Sequence, residues 1–176
     1  MTQTQPHVPG AAGEEAFGAR LIELAGERLV VLHDRRMPAG RGSIDHLAVT
    51  PRGVFVIGVK HDSGKLERRN LGNVIRPDVR LYLGERERTT LLHEVEDQAE
   101  VVREVLSPAW FLDSPIRGVL CFTGADWGLF GSPFNLGNVL VTHPKFLYRM
   151  LSKEAEVATS AIQDAARALA IALPSA

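Results

Sequence analysis

The chain has almost no cysteine: Cys121 is the single one in 176 residues. That excludes an intrachain disulfide, and with it the small secreted scaffolds that such bridges hold together. Its neighbours Val119, Leu120 and Phe122 mark Cys121 as a small buried hydrophobe, and a reducing, cytoplasmic setting is expected. Apolar runs of membrane-spanning length are missing, as are the basic and apolar stretches of a secretory signal, so no membrane association is expected. No His or Cys pair has the short spacing of a structural zinc site, although His33, His46 and His61 lie close to candidate strands. Nucleotide cofactors find no support either, because residues 10–13 lack both a preceding strand and the Gly-Lys-Ser/Thr ending of a phosphate loop. Internal repeats are absent, which excludes a solenoid.

What remains suits one globular domain, with 45% hydrophobic and 23% charged residues. Residues 1–9 carry two prolines and no periodicity, so they are expected to be a loose arm, with the domain running over 10–174. Net charge is −1, which gives no whole-molecule attraction to nucleic acid. The charge is uneven, however: residues 34–88 hold twelve Lys or Arg against seven acids. Such a basic middle can meet phosphates or simply form a solvated hairpin surface.

Phe17, Leu21 and Leu24 recur at helical spacing over 13–26, and Glu14 lies one turn earlier on that stripe, so it is expected to point towards the protein. Three β-like runs follow at 29–33, 44–50 and 53–60, the first two separated by a Pro- and Gly-containing loop from Arg35 to Gly42. Weaker strand patterns occupy 65–69 and 79–83. Leu91, Val95, Gln98, Val102 and Val105 trace one face of a helix over 89–106, stopped by Pro108, with Gln98 the polar member. Strands at 116–123 and 138–142 and helices at 144–152 and 157–173 complete an α/β pattern.

The turn at Pro51 and Arg52 sets a register in which facing residues sum to 103, placing Asp45 opposite Gly58. Gly58 and Lys60 then share a sheet face at about 7 Å, and directly opposed positions lie about 5 Å apart. Asp45, position 58 and Lys60 therefore converge. Two carboxylates at that separation can share a hard divalent ion, and a lysine beside them can hold an attacking water or a phosphate.

The sequence resembles the nuclease-related domain (NERD) family of the PD-(D/E)xK nuclease superfamily. The resemblance rests on Gly10-Ala11-Ala12-Gly13-Glu14, Val31-Leu32-His33-Asp34-Arg35-Arg36, Ile44-Asp45-His46, Thr50-Pro51-Arg52-Gly53-Val54-Phe55-Val56-Ile57, Lys60 and Val119-Leu120-Cys121-Phe122, in that order. It implies an α/β, restriction-endonuclease-like mixed β-sheet flanked by helices, and metal-dependent cleavage of DNA with Mg²⁺ or Mn²⁺. By the same resemblance Glu14 matches an acid on the first helix, Asp45 the first metal-binding carboxylate, Lys60 the lysine and Gln98 a glutamine lining the site. Where the family has an acid two residues before the lysine, this chain has Gly58.

Each of these residues also has a purely structural use. Glu14 can favour a helix N-terminus, Asp45 can bond a neighbouring strand, Lys60 can be a solvated strand end, and Gln98 can bond backbone in the core. If the chain is a nuclease, Asp45, Glu14 and Asp62 have to form its metal site, with Asp62 standing in for the missing acid. Arg35, Arg36, Arg41, Lys65, Arg68 and Arg69 would flank the scissile phosphate. The alternatives are a pseudonuclease that binds nucleic acid without cutting it, and a protein-interaction domain.

Overall fold

The computed structural model describes residues 9–106, 115–129 and 131–176, the first four of them by backbone alone. The expected arm, apart from Pro9, and the expected helix stop at Pro108 lie outside the described residues. The chain runs α1 (Pro9–Leu24), β1 (Val30–Arg36), a short 3-10 turn (Pro38–Gly40), β2 (Ser43–Thr50), β3 (Gly53–Lys60), β4 (Gly64–Asn70), β5 (Val79–Leu83) and β6 (Arg86–Glu87). It continues through α2 (Thr89–Leu106), β7 (Ile116–Phe122), β8 (Ala125–Asp126), β9 (Phe134–Leu136), β10 (Val139–Thr142), α3 (Pro144–Leu151) and α4 (Thr159–Ala172).

A mixed six-stranded sheet, in the order β1-β2-β3-β7-β10-β9, forms the centre. The first three strands are an antiparallel meander, while β3, β7 and β10 run parallel. Parallel neighbours need a long crossover, and α2 supplies the one from the hairpin side of the molecule to β7. Because helices cover both faces, β3 is a continuous apolar run, as expected of a doubly covered strand. On one face Val54 and Val56 meet Ala99 and Val102 of α2 and Ile162 and Leu169 of α4. On the other, Phe55, Ile57 and Val59 meet Phe17 and Leu21 of α1 and Leu147 and Leu151 of α3. Cys121 is buried on this second face, where desolvation pushes its thiol pKa up and keeps it unreactive.

The expected α/β architecture is present, and three details differ. The helix α1 starts at Pro9, four residues before the expected 13. The buried residues of α2 are Leu92, Val95, Ala99, Val101, Val102 and Leu106, so Leu91, Gln98 and Val105 sit on the shoulder of its buried face. Finally, β1 continues to Arg36, with Arg35 opposite Ile44 and Arg36 opposite Ser43, where a loop was expected. A second sheet, β6-β5-β4-β8, contains the β4–β5 hairpin, and its Leu66, Leu81 and Leu83 pack with Val95 of α2 and with Leu120, Phe122 and Val141 of the first sheet. No helix among the described residues is long and apolar enough to cross a membrane.

Arg35 shows why β1 extends. Its Nε donates to the Leu173 carbonyl at 2.7 Å and its Nη2 to that of Ala170 at 3.0 Å, satisfying the open end of α4. Beside it the Arg36 amide donates to the Pro174 carbonyl at 2.8 Å and the Ala176 amide to that of Asp34 at 2.7 Å. Arg35→Ala strands two carbonyls and is expected to cost about 1–3 kcal/mol. For a chain of this size that is a Tm fall of roughly 2–4 °C per kcal/mol, read by circular dichroism; an unchanged Tm would show that water replaces the guanidinium at no cost.

Candidate functional site

The β2–β3 register has the expected sum: Thr50 faces Gly53, Ala48 faces Phe55 and His46 faces Ile57. Gly53 adopts a φ of 117°, which glycine accommodates at the exit of this two-residue turn. Beyond His46–Ile57 the backbone ladder stops, and a side chain makes the next cross-strand bond. Asp45 Oδ2 accepts the Val59 amide at 2.9 Å. Asp45, expected opposite Gly58, thus bonds the backbone of the next residue, and part of its carboxylate is used in holding the strand end.

Gly58 points towards α2. A Cβ built there meets Val95 Cγ2 at 3.1 Å, with Leu120 Cδ1 at 3.8 Å. Strand alternation puts Lys60 on this same face, at the last residue of β3. Its carbonyl accepts the Thr123 amide at 2.9 Å, which fixes the backbone of this half-buried residue. The space above Gly58 is therefore filled by a valine that is only 3% exposed.

Gln98 reaches the same region from α2. Its Nε2 donates to the Ser43 carbonyl at 3.1 Å, two residues before Asp45, while its Oε1 is buried without a partner. Asp62 is held elsewhere, paired with Arg88 at 3.4 Å, because β3 ends at Lys60 and the chain turns towards the second sheet. Glu14 is exposed and does not point inward as expected. Its helix covers the opposite sheet face, although its N-terminal turn comes close to the strand end: a Cβ on Gly13 would lie 2.7 Å from His61 Nδ1. Among the described residues no three His, Cys, Asp or Glu side chains gather where they could hold a metal ion. Mg²⁺ and Mn²⁺ prefer six oxygens, and a single carboxylate already bonded to a backbone amide does not fit them well.

Of the six cations expected to flank the site, Arg41 lines one cleft with Ser43 and Gln98, and most of the others are engaged by other partners. Arg35 caps α4, and Lys65 and Arg69 both pair with Glu67, Arg69 also with Glu85. Arg68 stacks on Phe134, its guanidinium 4.5 Å from the ring centre. Arg36 is exposed on the edge strand β1. Arg41 lines a cleft of about 600 Å³ against α2, but Glu94, Asp97 and Glu100 line it too and oppose a phosphate there. Thus much of the excess positive charge of 34–88 is consumed locally, with Arg80 and Arg88 also paired to acids of that segment.

A histidine pair escaped the sequence reading. His33 and His46 face each other across β1 and β2 with their Nδ1 atoms 2.8 Å apart, so one ring donates and the other accepts. His46 is 7% exposed and packs against Phe17, and its Nε2 has no partner. Burial first, then the neighbouring His33, pushes its pKa down to about 4, against the pull of Asp45 and Asp34. The signal was the facing register of β1 and β2, which the loop between them concealed.

In comparison with known families, a family model described as "Nuclease-related domain" matches residues 9–123, from the start of α1 through β7. No curated protein and no solved structure matches the chain.

Proposed function

Since the chain belongs to the nuclease-related domain family, we propose that it is a DNA-binding domain of nuclease fold that holds phosphate at the Lys60 end of the central sheet without efficient hydrolysis. The observation that carries this reading is the closure above Gly58, where Val95 occupies the room a second carboxylate needs. Hydrolysing a phosphodiester near neutral pH calls for an activated water, which a bound divalent ion supplies by lowering the water pKa. Asp45 alone supports that poorly, whereas Lys60 can still meet a phosphate as a point charge. Gln98 keeps the β2 strand end in place through the Ser43 carbonyl and so positions Asp45.

Fluorescence anisotropy with a labelled duplex, at rising salt, tests the binding. Lys60→Ala is expected to weaken binding roughly threefold to tenfold and to lower the salt slope by about one. No nicking of supercoiled DNA is expected with Mg²⁺ or Mn²⁺. Cleavage that disappears in Asp45→Ala would restore the hydrolase, and an absence of DNA binding at low salt would favour a protein-interaction domain.

A further inference from the structure

We infer that the β4–β5 hairpin is a wedge that inserts Val74 and Ile75 between the base steps of a duplex bound at the Lys60 end of the sheet; this rests on the DNA-binding reading above. The two residues sit at the hairpin apex with exposures of 99% and 88%, and Leu71 beside them is 55% exposed. Adjacent β-branched side chains in water at such a level form an apolar point with no partner among the described residues.

The point is held firmly. Asn70 Oδ1 accepts the amides of Gly72 and Asp78, both at 3.0 Å. Asn73 Oδ1 accepts those of Ile75 at 3.0 Å and Arg76 at 2.8 Å. Backbone bonds from Leu71 to the Asp78 carbonyl at 2.8 Å and from Asn73 to that of Arg76 at 3.1 Å close the loop. An apolar tip that is already ordered loses little entropy on insertion, unlike a floppy loop.

Charge selects the occupant. Of the five Lys or Arg from 64 to 83, Lys65, Arg69 and Arg80 pair with acids and Arg68 stacks on Phe134, so the charge left for a ligand is concentrated at Arg76 beside the tip. Arg76 follows the tip directly, is exposed, and has no acidic partner among the described residues. A duplex offers phosphates to that guanidinium and stacked, apolar base faces to Val74 and Ile75, the combination minor-groove wedges exploit. The hairpin leaves the main sheet four residues after Lys60, and β4 alone spans about 20 Å, so the tip reaches a groove away from the phosphate at Lys60.

The test uses the full chain and a duplex carrying 2-aminopurine at successive steps. Wild type should raise the 2-aminopurine emission at one step or a few neighbouring ones, because unstacking relieves quenching. V74S/I75S, checked for folding by circular dichroism, should abolish that rise and weaken binding roughly fivefold with the salt slope unchanged. Arg76→Ala should instead lower the slope by about one. DNA binding that is indifferent to V74S/I75S overturns the wedge and leaves the DNA-binding reading standing; no DNA binding by wild type overturns both. Cosedimentation with phosphatidylserine vesicles that V74S/I75S abolishes, or a sedimentation coefficient that it changes, also overturns the wedge, assigning the tip to a membrane or to a second copy of the chain.

Discussion

Gly58→Glu combined with Val95→Ala is expected to create a Mn²⁺ site, and adding Asp45→Ala is expected to remove it. The paired ladder ends at His46 opposite Ile57, and Asp45, next along β2, bonds the Val59 amide, so a carboxylate at position 58 starts one residue from that contact; directly opposed strand positions stand about 5 Å apart at Cβ. Two carboxylates there provide oxygen ligands that one cannot. Gly58 is not among the residues with positive φ, and glycine is intrinsically weak in a strand, so the backbone accepts the change. What resists is Val95, whose Cγ2 stands 3.1 Å from the new Cβ. Gly58→Glu alone should therefore lose about 1–3 kcal/mol through overpacking, and Val95→Ala opens the room. Titration calorimetry reads the binding directly. A second reading is thermal: at Mn²⁺ concentrations one hundred times the Kd, binding stabilises by about 2.7 kcal/mol, a Tm rise of roughly 5–10 °C that the triple variant lacks. A folded double variant that ignores Mn²⁺, or a gain that survives Asp45→Ala, would show that these two positions do not share an ion. DNA cleavage by the double variant then asks separately whether Lys60 and Gln98 still form a working site.

The sequence made the centre of this molecule legible because the local signals were strong. A two-residue turn at Pro51 and Arg52 admits few registers, and the apolar run of β3 admits one environment, so the pairing from Thr50–Gly53 to His46–Ile57 followed from counting. Val95 was placed on α2, but its contact with a Cβ at position 58 depends on how the helix lies on the sheet, which periodicity does not specify. The same ambiguity turned the expected α2 stripe by one residue and left Gln98 on its shoulder. Charge was harder still. Arg69 pairs with Glu85 sixteen residues away across a hairpin, and Arg35 with carbonyls beyond residue 169, so a count of cations along the chain overstates the surface that remains for phosphate. Glu14 illustrates a third limit: a helix begun at Pro9 puts its acid on an exposed turn, though the spacing to Phe17 is as expected.

Acidification from pH 7 to about pH 5 is expected to cost roughly 2 kcal/mol through His46 alone. Its folded pKa lies near 4, below the ordinary 6.5, so between those values the unfolded chain binds the proton and the folded chain refuses it. Stability from this group is thus fully present above about pH 6.5 and is lost as pH falls through the folded value. His33, lowered chiefly by burial, adds in the same direction. The physical cause is first the burial of His46 beside Phe17, and second the His33 ring whose Nδ1 lies 2.8 Å away: charging both rings would set two cations, and two donors, against each other. His46→Phe keeps a ring beside Phe17 and removes both nitrogens, including the partnerless Nε2. At pH 7 the variant should remain within about 1.5 kcal/mol of wild type, since the swap is close in volume and relieves a buried polar atom. Urea unfolding at several pH values between 5 and 7 should show the wild-type slope largely flattened in His46→Phe. The pH interval matters, because carboxylates dominate acid unfolding further down. A wild-type stability that does not change across it, or a proton NMR titration of His46 in the folded protein near its ordinary pKa, would mean that water reaches this pair and that the two strands part more readily at β1 than the packing of Phe17 implies.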